Sequence, residues 1–467
     1  MTSWRVTLAV AALAAPLITG SATGSSSPSL APVPKAHCGP GSLPESRTQG
    51  RVPSEEIQNG RAAKGYTCNT TEVSHFGTTA GFKVLRYVDK AGHACGFYDT
   101  TALFPTDAVN NAATGLGVYV LDMSDPAHPK QTATLSTPAM LTPHESLLLN
   151  DKRGLLVADA GNPLTYPGMV DVYDVSANCL QPTLESSTPV GVLGHESAFA
   201  PDGKTFYVSA GGGSTLTALD LSNPMTPYPV AMTYGTQWHG ARVSDDGRYL
   251  FAANMTLPGL DIFDVSSIQS RAANPTFKLV SQLTWPSASI PQVPIPMTIK
   301  GHHYLLEIDE FAGYETDVIL NPGYHPESAV GAARIINIDD VRHPKLVSNI
   351  RLEVNERDAR GGPQKNDPGP IAGTQFGGYA GHYCSLPREV DPGIVACSFL
   401  ASGERIFNVQ DPAHPREVAY FNKPSSSGAA AYSQAAWDLK RHQVWYGDSN
   451  SGLWVFQIAS NVWPKGL

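Results

Sequence analysis

Four histidines stand at one common interval ahead of an acidic turn residue: His144 before Asp151, His195 before Asp202, His239 before Asp246 and His382 before Glu389. Imidazole is the commonest metal ligand, and four converging rings can hold a transition metal ion. Copper and iron both suit four imidazoles, and ligand type alone does not separate them. A single such histidine more often bonds a neighbouring strand and does nothing else. Histidine is only 14 of 467 residues, so recurrence at one register is the signal. Glu307, Asp309 and Glu310 form a second chemical group, expected near the end of a strand on the same side as the histidines. Glu307 and Glu310 are the candidate general bases, although no nucleophile pairs with either. Glu145 and Glu196 directly follow two of the histidines and could orient the rings, but strand alternation is expected to turn them away.

The elements that place these residues repeat along the chain. A strand ending in Asp or Asn runs into a proline turn at Gly117–Asp122 before Ser124–Pro129, and again at Arg405–Val409 before Asp411–Pro415. Further copies lie at 170–174, 215–220, 260–264 and 334–339, and the last at 453–457. A short strand follows most copies, and a tight hairpin precedes them at Asp151-Lys-Arg-Gly154, Pro201-Asp-Gly-Lys204 and Ser244-Asp-Asp-Gly-Arg248. Four strands per unit, A to D, in seven units, spell an all-β, seven-bladed propeller. The stretch 71–76 matches a D strand yet precedes the first unit, while the last unit has no D strand of its own. The N-terminal strand is therefore expected to close the ring, which leaves no long exposed edge.

Connections on one side of such a disc are tight. Those on the other are long, at 100–115, 160–169 and 310–333 between strands B and C, and at 284–296 and 355–380 between D and A. The histidines open A strands on that long-loop side. Lys83, Gln292 and Gln434 fall near the same place in the remaining blades. His128, His343 and His414 sit inside the proline turns and are expected to be turn residues; His302 and His303 are expected at the opposite face.

The strand-then-Asp-Pro-x-x-Pro signature at 117–129 and 405–415 resembles that of LVIVD-repeat propellers. The copies at 176–182 and 266–275 depart from it. The stretch His239-Gly-Ala-Arg-Val-Ser-Asp-Asp-Gly-Arg-Tyr-Leu250 is similar to one in the copper-binding methanethiol oxidases of the selenium-binding family. Carotenoid oxygenases offer a similar four-histidine iron site. These resemblances imply a metal at His144, His195, His239 and His382 and redox chemistry on a small molecule.

Composition bounds the rest. The formal net charge is -9 with no basic block, which argues against a nucleic-acid partner. Arg5, the apolar run 6–18 and the small residues that follow read as a signal peptide over 1–24, too short for a span of ~20 residues. Residues 25–65 read as a Ser/Pro/Gly-rich linker and 66–467 as the propeller. Six cysteines fit an oxidising, extracytoplasmic location. Cys384 and Cys397 flank a hairpin; Cys38, Cys68, Cys95 and Cys179 allow three pairings. Asn69 and Asn254 lie in glycosylation sequons. The competing functional class is a non-catalytic secreted or cell-surface propeller that binds a protein or glycan.

Overall fold

The computed structural model describes residues 28–100, 116–160, 168–190, 194–210, 213–285, 289–311, 330–356, 358–359, 367 and 378–467. The region read as a signal peptide and most of the long loops lie outside these residues.

Seven antiparallel sheets form the ring, each built from strands A to D in order. Blade 1 spans Val84–Val88 to Lys130–Leu135, blade 2 Leu147–Asn150 to Thr183–Pro189, and blade 3 Ala198–Phe199 to Tyr228–Tyr234. Blade 4 spans Trp238–Val243 to Lys278–Thr284, blade 5 Ile290–Ile299 to Lys345–Ile350, and blade 6 Gly381–Ser385 to Arg416–Asn422. Blade 7 takes Ala436–Asp438, Gln443–Asp448 and Gly452–Ile458 from the C-terminus, and its D strand, Thr70–Phe76, from the N-terminus. Register runs from Thr70 opposite Ile458 to Phe76 opposite Leu453, so the expected closure is present.

Each D strand carries one unpaired residue, a β-bulge, opposite its C strand. The next residue is Ala133, Ala231 or Ala419 in blades 1, 3 and 6, and a serine in the other four. Those serine hydroxyls each donate across the blade boundary to the proline-turn backbone of the following blade. The pairs are Ser74 to Pro126, Ser186 to Pro224, Ser281 to Val341 and Ser348 to Pro412, all at 2.6 Å. Ser74 belongs to the N-terminal strand, so that strand carries the same device as the in-sequence D strands. Apolar side chains fill the remaining blade-to-blade space, as where Val157 and Val172 meet Phe206 and Leu219. Inside the turns, Asp125, Asp340 and Asp411 bond the Nδ1 atoms of His128, His343 and His414 at 2.8 to 2.9 Å, so these histidines are turn residues as expected.

The structure departs from the sequence reading in three places. Residues 290–296, expected within a loop, belong to the ten-residue A strand Ile290–Ile299. Its prolines 291, 294 and 296 obscure the pattern, but A is the inner edge of its sheet, where an absent N–H breaks no ladder. A bulge at Gln292 brings Pro291 into phase with the other two. The stretch 28–65, expected as a linker, lies against blades 5 and 6. Arg405 there bonds Glu45 and Glu417, and Arg51 pairs with Asp367 at 2.8 Å. Tyr66–Cys68 adds a fifth strand to blade 6. Finally, the two repeats that depart from the turn motif have other fastenings. One carries Cys179, bonded to Cys95; the other forms the helical turn Ser266–Gln269, after which Arg271 pairs with Asp220 at 2.5 Å.

The remaining disulfides are Cys38–Cys68 and Cys384–Cys397, and no cysteine is free. Three disulfides point to an oxidising, extracytoplasmic environment. Among the described residues no helix is long and apolar enough to cross a membrane. Asn69 and Asn254, the asparagines of the two sequons, are both buried and hydrogen-bonded in the folded chain.

Candidate metal centre

The four histidines come together at the long-loop end of the channel. His144 and His195 have ring centroids 4.6 Å apart, and His195 and His239 4.2 Å. His195 Nε2 lies 2.9 Å from His239 Nε2. His382 is linked to them through Glu310, whose two oxygens lie 2.8 Å from His239 Nε2 and 2.9 Å from His382 Nε2.

Local backbone irregularity aims these side chains. His239 and His382 sit in A-strand bulges, between the pairs Trp238–Asn254 and Ala241–Ala252 and between Gly381–Phe399 and Cys384–Cys397. A bulge re-aims a side chain that regular pleating would send elsewhere. Behind His239 the backbones are so close that a Cβ on Gly240 would lie 2.4 Å from the Gln292 carbonyl oxygen. That same carbonyl accepts from His239 Nδ1 at 3.2 Å, and the Tyr432 carbonyl accepts from His382 Nδ1 at 2.7 Å. A carbonyl can only accept, so the proton of each neutral ring sits on Nδ1 and the Nε2 lone pair faces the centre.

Glu145 corrects the expectation that it turns away. Its carboxylate lies 3.5 Å from His382 Nε2, 3.6 Å from His195 Nε2 and 3.7 Å from His239 Nδ1. The alternation argument fails because His144 adopts a left-handed backbone (φ 51°) and the A strand starts only at Leu147. Of the two candidate bases, Glu310 is in the centre and Glu307 is not. Glu307 and Asp309 share the opposite strand face, where both pair with buried Arg334. Phe82 stacks 5.3 Å from His382 and edges His144 at 4.7 Å, forming an apolar wall that no sequence pattern marked.

Charge inside the centre is unbalanced. Burial opposes protonation of His239, but the Glu310 and Glu145 carboxylates outweigh it and push the ring up to about 9. Burial brings His144 down to about 4 and, helped by the charge on His239, His195 well below its ordinary value. Burial raises Glu145 to about 7 against the pull of His239. Glu310 resists its own burial, because His239 and His382 hold it well below the usual carboxylate range. One proton on His239 Nε2 cannot serve both Glu310 and the facing His195 nitrogen; a shared cation serves both. Ligands on one ion with bonds of ~2.1 Å stand roughly 3.0 Å apart at a right angle and 3.4 Å at a tetrahedral one. The separations among the atoms facing the centre, 2.8 to 3.6 Å, fall around those values.

A second polar layer closes the channel one step further along the A strands. Glu196 takes Lys83 at 2.7 Å, Arg242 at 2.6 Å and the Tyr383 hydroxyl at 2.6 Å, and Gln434 accepts from Lys83 at 3.2 Å. Lys83 and Gln434 thus lie beside the ring without joining it. Burial lowers Lys83 to about 8 despite the pull of Glu196. Gln292, the remaining near-ring position, is fully buried, and neither atom of its side-chain amide has a hydrogen-bond partner among the described residues.

No family model matches the chain, and no curated protein does. Solved structures do. A Bacteroides fragilis protein provisionally named a 6-phosphogluconolactonase aligns with 71% of this chain and 84% of its own, at 11% identity and a TM-score of 0.50. A Bacteroides uniformis protein of the same provisional name covers 72% and 86%, at 11% identity and 0.50. A Lactobacillus plantarum protein covers 71% and 85%, at 10% identity and 0.51. Likeness at this identity is likeness of fold: these neighbours share the seven-bladed propeller.

Proposed function

We propose that this protein is an exported metalloprotein whose channel mouth holds a transition metal, copper or iron, for redox chemistry on a small molecule. The observation that carries the reading is the orientation of His239 and His382. Both rings give Nδ1 to a backbone carbonyl and turn Nε2 toward Glu310, and His239 Nε2 also faces His195 Nε2. Such outer hydrogen bonds fix a ligand's tautomer and direction. His144, His195, His239 and His382 would hold the metal, with Glu310 and Glu145 balancing its charge. The metal would supply a path for electrons from the substrate to dioxygen as acceptor. Around it the protein excludes water with Phe82 and seals the channel with Glu196 and its partners, so the substrate arrives from the long-loop side. The motif likenesses to LVIVD-repeat propellers and to methanethiol oxidases agree with this reading.

The test is metal analysis of protein purified from its native compartment after copper- or iron-replete growth. Stoichiometric metal in the wild type, reduced in His195→Ala and His239→Ala, is expected. Metal-free wild type, or metal undiminished in both variants, would sink the reading. One observation favours a binding module instead: Met225, Tyr228, Met232 and Tyr234 are exposed at the outer edge of blade 3. A partner captured there by wild type and metal-stripped protein alike would support that alternative.

A further inference from the structure

We propose that the centre holds two metal ions bridged by the Glu145 carboxylate, with His144 and His195 on one and Glu310 and His382 on the other. This rests on the metal reading above and adds the number of ions and the bridging residue.

Three observations lead to two ions. First, the ligand atoms fall into two groups, His144–Glu145–His195 and Glu145–Glu310–His382, each with all its atoms within 4.8 Å of one another. Glu145 belongs to both. Second, its two oxygens divide between them: Oε1 lies 3.5 Å from His382 Nε2, and Oε2 lies 3.6 Å from His195 Nε2. A carboxylate that offers one oxygen to each of two ligand sets is built to bridge, and bridged ions stand ~3.5 to 4 Å apart. Third, Glu145 Oε2 is buried with no hydrogen-bond donor among the described residues. A buried carboxylate oxygen without a donor is costly, and a cation would offset that cost.

Ligand number points the same way. Four imidazoles and two carboxylates would fill all six positions of one octahedral ion and leave none for a substrate. Divided between two ions, the same groups leave each with open positions. His239 sits at the seam, its Nε2 2.9 Å from His195 Nε2 and 2.8 Å from Glu310 Oε1. The charge suits this arrangement: two carboxylates cancel one divalent ion's charge, and a bridging hydroxide from water would reduce the remainder.

The experiment uses the full secreted chain, stripped with chelator and reloaded with Fe(II) alone or Cu(II) alone, then desalted. Metal per chain is measured, and crystals are examined at the metal's absorption edge. Two equivalents and two anomalous peaks flanking Glu145 are expected. His144→Ala, at a half-buried position, and Glu310→Gln should each retain about one equivalent, at opposite peaks. One equivalent and one peak in the wild type would overturn the two-ion proposal and leave the metalloprotein reading standing. Loss of all metal from both variants would also overturn it. No metal in the wild type would overturn both.

Discussion

Two layers of the same channel, built from the same A strands, solve opposite problems. In the lower layer each cation has a carboxylate oxygen within 2.7 Å. Glu196 meets Lys83, Arg242 and Tyr383, and the surplus donors reach Gln434 and the Ser197 carbonyl. In the upper layer like groups face each other: His195 against His239, with Glu145 left short of a donor. Both layers are buried and both contain acids and bases, so burial alone does not separate them. Completeness of pairing does. A buried polar group that folding leaves unanswered is a group reserved for something else.

The largest expected effect lies in the lower layer. Glu196→Gln strands buried Lys83 and partly exposed Arg242, and breaking a buried pair costs about 3 to 5 kcal/mol. Urea unfolding measures it, and a loss under 1 kcal/mol would mean that the layer is not the knot described here. The upper layer should behave oppositely. Glu145→Gln removes a buried carboxyl that folding does not need, so the metal-free variant should be as stable as wild type or gain about 1 kcal/mol. A loss as large as that of Glu196→Gln would erase the distinction between the layers.

Acidity offers a finer probe away from the centre. Burial raises Asp448 to about 6, because the Ala430 and Asn450 backbone N–H donors only partly offset it. Its folded value exceeds the unfolded one near 3.8. Its contribution is therefore complete below about pH 4 and is lost as pH rises through 6. Asp448→Asn should flatten the stability profile across that window; an unchanged slope between pH 4 and 7 would contradict this. The smallest effect belongs to the serine links between blades. Ser186→Ala should cost about 1 kcal/mol, the worth of one hydrogen bond, and an alanine already occupies that position in three blades.

Much of the fold could be read from the chain because the propeller repeats itself. The turn motif and hairpins fixed seven units, and the missing last D strand identified 71–76 as its replacement, within the observed Thr70–Phe76. The histidine register was legible for the same reason, since hairpin turns set it independently of the histidines. Glu145 was hidden because alternation presumes a regular strand, and His144 is left-handed. Ile290–Ile299 was hidden because proline argues against a strand unless one knows that it is an edge. The docking of residues 28–65 rests on scattered partners such as Arg405 and Asp367, which no local pattern marks. Pairing of the four remaining cysteines needed three-dimensional proximity.

The central claim is that the upper layer is a cation site, and thermal unfolding of chelator-stripped protein tests it most directly. Copper or iron added to the wild type should raise Tm, because an ion that binds only the folded state stabilises it by mass action. His144→Ala/His195→Ala, altered only at the half-buried rings, should fold with little change and show a smaller rise, from the one ion left at Glu310 and His382. An equal rise in the variant, or none in the wild type, would contradict the account.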